Sequence, residues 1–143
     1  AMQEAGVKPE IEVFDPGMIT DAAYYLKKGI LKAPLHFQFC MGCAGGIAAT
    51  AENLIFMRNT LERAVPDSTW SAFGVGKGAM EIMYTAIAAG GHIRVGMEDN
   101  VVYKKGVLAE SNMQLIARAR RVIEEYGCEV ATPADARKIL SLQ

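Results

Sequence analysis

The chain has 143 residues, 51% of them hydrophobic and 22% charged, with a formal net charge of −1. This is ordinary material for one globular unit with its own core, and so small a charge argues against binding nucleic acid through a basic surface. No apolar run reaches the roughly 18 residues of a membrane span. The N-terminus lacks the basic region and apolar stretch of a signal peptide. Three cysteines suit a reducing compartment better than a disulfide framework, so the expected setting is cytoplasmic.

Four strand-like runs alternate with helix-like runs. The first is Glu10 to Asp15, opened by Pro9 and closed by Pro16-Gly17, a turn signal. A short helical pattern follows from Thr20 to Ile30. The second strand runs from Leu35 to Met41 and ends at Gly42. Thr50 then suits the N-cap of a helix with Leu54, Met57, Leu61 and Ala64 on one face. The third strand covers Ser68 to Val75, and Gly78 leads into a helix over Ala79–Ala89 that Gly90-Gly91 stops. The fourth strand spans His92 to Met97. Ser111 with Gln114 forms a capping-box pattern before the stripe Leu115, Ile116, Ala119, Val122, Ile123 and Tyr126. Gly127 ends that helix, and Thr132-Pro133 opens a last short one.

Strand–helix alternation at roughly 25 to 33 residues per unit is the rhythm of parallel α/β folds. A (β/α)8 barrel needs about 250 residues at that pace, so the chain suffices for half of one. Residues 1–143 read as a single piece of a TIM-barrel domain with no internal boundary.

Splitting each strand by parity separates two faces. Ile11 and Val13 oppose Glu10, Glu12 and Phe14; Phe37, Phe39 and Met41 oppose His36, Gln38 and Cys40. Ile93, Val95 and Met97 oppose His92, Arg94, Gly96 and Glu98. The third strand divides less cleanly, with Phe73 and Val75 opposing Trp70, Ala72 and Gly74. One face packs under helices, while the other carries carboxylates, a guanidinium, an amide and an imidazole. A buried parallel strand is normally apolar on both sides, and charges facing inward are costly unless paired or metal-bound. In a barrel such residues belong to a site at the C-terminal ends of the strands. An antiparallel sheet with one solvated face would show the same alternation, though the intervening helices speak against it.

The stretch Gly91 to Asn100 is the most informative. An Arg, two adjacent carboxylates and an amide (Arg94, Glu98, Asp99, Asn100) gather at a strand terminus, a combination suited to metal binding and proton transfer; a charged surface turn is the bland alternative. This segment, together with Pro9-Glu10-Ile11-Glu12-Val13-Phe14-Asp15 and Gly45-Gly46-Ile47 followed by Glu52-Asn53-Leu54, resembles the β-keto acid cleavage enzymes. The resemblance covers essentially the whole chain and corresponds to strands five to eight of that family's barrel.

The resemblance implies a zinc-dependent exchange between a β-keto acid and acetyl-CoA that yields acetoacetate and a new acyl-CoA. Glu98 would bind the metal beside two histidines. Asp99 would be the base that removes a proton between ketone and carboxylate, and Arg94 would assist it. An inward Glu on the first strand, Glu12 rather than Glu10, is expected to pair with Arg94. The family's His-x-His motif does not occur in this chain, whose two histidines, His36 and His92, stand at strand beginnings and are read as structural. The remaining zinc ligands are therefore expected from an N-terminal half, through self-association or pairing with a separate chain. The alternative is a non-catalytic half-barrel or assembly module.

Two further signals stay open. Cys40-Met41-Gly42-Cys43 is a C-x-x-C, either redox-active or simply loop packing. Gly74-Val75-Gly76-Lys77-Gly78 precedes a helix, so Gly74, Gly76 and Lys77 are candidates to hold a phosphate of the CoA substrate. A glycine turn needing positive φ explains the same residues. The eight methionines read as core filler.

Overall fold

A computed structural model describes residues 1–2 and 4–142. Four strands, β1 (Glu10–Val13), β2 (His36–Met41), β3 (Thr69–Gly74) and β4 (His92–Ile93), form one parallel sheet in the order β1-β2-β3-β4. Helices α1 (Pro16–Lys27), α2 (Ala51–Ala64) and α3 (Ala79–Ala88) connect them. After β4 the chain makes a two-stranded antiparallel hairpin, β5 (Val102–Lys104) and β6 (Val107–Leu108), then α4 (Asn112–Glu125) and α5 (Pro133–Ile139). Parallel neighbours in sequential order, each joined by a helix, are the architecture of half a (β/α)8 barrel. Among the described residues no helix is long and apolar enough to cross a membrane.

The core lies on one side of this sheet. Val13, Phe37, Phe39, Met41, Trp70 and Ala72 point toward the helices and meet Ile19 and Ala22 of α1, Leu54, Met57 and Leu61 of α2, and Ile82 and Ala86 of α3. Phe39 stacks on Trp70 with ring centroids 5.4 Å apart. A smaller cluster of Met83, Ile87 and Ala119, joined by Val95, Val122 and Ile123, docks α4 onto α3.

Several boundaries differ from the sequence reading. Pro16-Gly17 does not make a turn but opens α1: Asp15 caps it, its Oδ1 accepting from the amides of Gly17 (2.7 Å) and Met18 (3.3 Å), and Pro16 occupies the first turn, where a missing N–H costs nothing. The helix accordingly starts before Thr20 and ends at Lys27, with Gly29 beyond it at positive φ. On β3 the helix-facing residues are Trp70 and Ala72, while Ser71 and Phe73 stand opposite Gln38 and Cys40 on the other face. The strand β4 is only two residues long; Gly96 follows, and its carbonyl accepts from the amides of Asp99 (3.2 Å) and Asn100 (3.1 Å), closing a turn where alternation had implied continued strand. The hairpin was not anticipated. At α4 the Ser111 hydroxyl accepts from the Gln114 amide (3.3 Å), but the Gln114 side chain reaches the amide of Glu110 rather than that of Ser111, so the box closes one residue early.

The β3–α3 connection shows why glycine is required there. A Cβ on Gly74 would stand 2.7 Å from the carbonyl oxygen of Gly78, and Gly76 takes φ +61° to turn the chain. Gly74→Ala should therefore cost about 1–3 kcal/mol, the usual range for overpacking. The expected observation is a lower urea midpoint at unchanged m-value; an unaltered midpoint would show that the turn relaxes freely.

Candidate active site

The inner face of the sheet carries the polar residues, and Arg94, just past the end of β4, gathers them. Its Nε and Nη2 donate to the two carboxylate oxygens of Asp99 at 2.9 and 2.8 Å, a bidentate fork. Nη2 also reaches Glu98 Oε2 at 3.2 Å. Nη1 donates to Gln38 Oε1 at 3.3 Å and lies 3.6 Å from Glu12 Oε1. The guanidinium rests on the ring of Phe73, 4.2 Å from its centroid, which shields one face from water. The Asp99 hydrogen bond, followed by the Coulombic attraction of the same carboxylate, raises the Arg94 pKa above its usual value against the opposing effect of burial.

Strand order explains the assembly. Glu12 and Gln38 are partners in the β1–β2 register, and Gln38 and Ser71 in the β2–β3 register, so these positions form one row across the sheet. The 97–99 turn is then held from three sides. Asp99 accepts a hydrogen bond at its carbonyl from the Gly76 amide (3.0 Å), Met97 donates to the Asn112 side chain (2.8 Å), and Asn100 uses its own amide group on both backbone groups of Val102. Asn100 thus serves as the hairpin's anchor.

The four residues expected to meet, Arg94, Asp99, Glu98 and Glu12, are together. Their exposure differs sharply: the Asp99 side chain is 8% exposed and that of Glu98 86%. Glu10, the other inward acid of β1, pairs instead with His36 (3.5 Å) near the start of the strands. Gln38 and Phe73 were not assigned a part in the site. The parity of Gln38 signalled it, while Phe73 became assignable only through its register with Cys40.

The Gly74–Gly78 turn lies beside this site. The amide of Gly76 is already bonded to Asp99, and Lys77 is exposed. Cys40 and Cys43 are free thiols with sulfurs 3.4 Å apart, and burial, followed by the hydrogen bond to Cys43, pushes the Cys40 thiol up to about 12.

Three carboxylates facing one guanidinium leave formal negative charge in excess, and Glu98 Oε1 has no hydrogen-bond or ion-pair partner among the described residues. Such a donor set suits a cation, yet among the described residues no group of three or more His, Cys, Asp or Glu side chains is placed to hold one. Catalytic zinc takes three protein ligands, and of these the family resemblance expects only Glu98 from this chain.

Comparison with known proteins decides the family. The family model described as beta-keto acid cleavage enzyme matches residues 1–142. The chain belongs to the beta-keto acid cleavage enzyme family. It is 48% identical over 140 residues to a 3-keto-5-aminohexanoate cleavage enzyme of Fusobacterium nucleatum, covering 98% of this chain and 50% of that protein. It is 40% identical over 141 residues to a 3-oxoadipate:acetyl-CoA acetyltransferase of Cupriavidus necator, covering 99% and 50% respectively. The chain thus spans about half the length of the curated relatives it matches. Among solved structures, a ternary complex of ObcA with a C4-CoA adduct and oxalate superposes with a TM-score of 0.83 at 19% identity, over 99% of this chain and 39% of that one. That likeness is one of fold.

At the opposite end of the strands His36 is buried, its Nδ1 2.8 Å from Thr69 Oγ1, with the His92 ring centroid 6.2 Å away. Burial first, then the charges of His92 and Lys8, lowers its pKa from 6.5 to about 4. Above pH 6.5 neither folded nor unfolded chain carries the proton and stability is undiminished. Between pH 6.5 and 4 only the unfolded chain takes it up, so stability falls as pH drops, by about 3 kcal/mol in all. Urea midpoints measured from pH 7.5 to 4 should show this loss in the wild type and a flatter dependence in His36→Gln. Parallel curves for the two proteins would remove His36 as the cause.

Proposed function

We propose that this chain supplies the proton-transfer half of an active site for zinc-dependent β-keto acid cleavage. In this reaction a β-keto acid, R–CO–CH2–COO−, and acetyl-CoA exchange acyl groups to give acetoacetate and R–CO–SCoA. The observation that carries the reading is the bidentate Arg94–Asp99 pair at the end of β4, flanked by Glu98 with one free oxygen. The names of the relatives support the reaction class: cleavage of a 3-keto acid in one, and an acetyl-CoA acetyltransferase acting on 3-oxoadipate in another.

Each side chain has a definable part. Asp99 takes the proton from the carbon between ketone and carboxylate. Both of its oxygens are engaged by Arg94, which sets the plane of the carboxylate and leaves its remaining lone pairs for the substrate. Arg94 provides fixed positive charge where negative charge develops on the substrate. Glu12 and Gln38 hold the guanidinium from the sheet side, and Phe73 excludes water beneath it. Glu98 would be the zinc ligand of this chain, with the other ligands coming from an N-terminal half or a second polypeptide. Zinc, when bound, would polarise the ketone and acidify the neighbouring carbon. The edges of β1 and β4, each with a single neighbour in the sheet, are where the remaining strands would pair.

Asp99→Asn in the full-length protein is expected to lower kcat for the exchange by about 10²–10⁴-fold with zinc content unchanged, the usual worth of a positioned base. Glu98→Gln should reduce zinc measured by elemental analysis. Full activity in Asp99→Asn would sink the assignment and favour a purely structural part for this half.

A further inference from the structure

We propose that Arg118 and Arg121 of α4, with Tyr103 of β5, form a binding site for a phosphate group of a cosubstrate at the rim of the 97–100 turn. The assignment of that cosubstrate as an acyl-CoA rests on the function proposed above.

The starting point is a buried charge that lacks an acid. Arg118 is only 8% exposed and occupies the helix face that also carries Leu115 and Ala119. Arginine stays charged in proteins and offers five N–H donors. The two half-buried arginines, less deep than Arg118, both have carboxylates around them: Arg94 has Asp99, Glu98 and Glu12, and Arg58 has Glu62 at 2.8 Å. Arg118 has none within ion-pair reach among the described residues. Its Nη1 faces the thioether of Met80 (3.0 Å), a weak acceptor, and its guanidinium carbon lies 3.5 Å from the Tyr103 ring centroid. The stack against an aromatic face holds the cation in place without neutralising it.

A second cation converges on the same point. Arg118 and Arg121 are three residues apart on α4 and so share a face. Arg118 is stacked on Tyr103, and hydrogen bonding by Arg121 first and Arg118 second holds the Tyr103 phenol below its usual pKa, which sets both cations beside that side chain. The neighbouring Arg120 behaves differently, since it is closed off by Glu124 one turn on (2.8 Å). Two guanidinium groups beside one phenol offer the donors that the several oxygens of a phosphate group take, and arginine binds such oxygens in bidentate fashion. Lys104 and Lys105, exposed on the same hairpin as Tyr103, add positive charge nearby.

Position favours a cosubstrate's phosphate over the reacting carboxylate. Arg118 lines a small cavity of about 30 Å³ together with Asp99 and Asn100, room for about one water rather than for a phosphate. Access is therefore from the outside, over Tyr103 and Arg121, and the anion would sit beside the reacting end rather than in it. The Gly74–Gly78 turn is a poorer cradle, because the Gly76 amide is already committed to Asp99.

The test is calorimetric binding of 3′-phospho-ADP and, separately, of inorganic phosphate to the full-length protein, using the wild type, Arg118→Gln, Arg121→Gln and Arg120→Gln. Arg121 is exposed, so its variant remains informative if Arg118→Gln does not fold. The expected result is about tenfold or greater weakening of nucleotide binding in the Arg118 and Arg121 variants, the loss of one charge-assisted bond, with Arg120→Gln, whose side chain is paired with Glu124, binding as the wild type does. In turnover assays Arg121→Gln should raise KM for acetyl-CoA with kcat and the keto-acid KM unchanged. Inorganic phosphate binding as tightly as the nucleotide, and lost in the same variants, would assign the site to free phosphate. Failure of the wild type to bind either probe would overturn the proposal, as would Arg118 and Arg121 variants that bind normally or that change only the oligomeric state. Because binding is read without turnover, an inactive wild type would remove the proposed reaction while still deciding this site.

Discussion

A guanidinium drawn partly out of water must find acceptors for its donors, and in this chain that requirement organises the whole upper end of the sheet. Arg94 sits beyond β4 and meets the side chains of β1 through Glu12, β2 through Gln38 and β3 through Phe73, while the turn that follows folds back to deliver Asp99. Asp99 is nearly inaccessible, so its carboxylate depends on the same pair. Losing one member of such a pair typically costs about 3–5 kcal/mol because the other is left buried and unmatched. The interaction therefore fixes both the geometry of the turn and the orientation of the candidate base.

The sheet divides stability and chemistry between its two faces. On the helix side Phe37, Phe39, Met41, Trp70 and Ala72 are buried and carry the hydrophobic core. On the other side each polar group is matched along a row: Glu10, His36 and Thr69 near the strand starts, then Glu12, Gln38 and Arg94 toward the ends. Near the starts the α5 segment comes over this face, where Ile139 and Leu140 line a cavity of about 290 Å³ with His36, Gln38 and His92, and Lys8 donates to the carbonyl of Leu140. Separation of this kind lets residues at the strand ends vary in chemistry while the packing beneath them is kept.

Much of this is legible in the order of residues. Alternation in Glu10–Val13 and His36–Met41 assigns faces correctly, because a strand's side chains obey a period of two whatever surrounds them. Thr50, Gly90 and Gly127 mark helix limits through local capping and φ requirements, and the structure has α2, α3 and α4 where those marks imply. The reading fails where one residue type serves two local purposes. Pro16 suits a turn and a helix's first position equally, and Trp70-Ser71-Ala72-Phe73 carries an aromatic on each face, so hydrophobicity could not choose between them. Arg118 was passed over because its place on an apolar stripe is visible but its lack of an acidic partner is not.

What the sequence by itself determined is therefore the set of elements, their parallel α/β rhythm, the family, and the polar face on which Glu12, Gln38 and Arg94 lie, since each depends on local periodicity or on a contiguous motif. Tertiary structure decided who meets whom. By alternation Glu98 should lie inward beside Arg94; it does meet Arg94 at 3.2 Å, but the chain turns after Gly96, so Glu98 stays exposed and Asp99 is the buried partner. The pairing of Glu12 rather than Glu10 with Arg94, expected from the sequence, is brought about by strand register, which leaves Glu10 to His36. Periodicity ends where the strand ends, and ion pairs form across distances in sequence that no local pattern encodes.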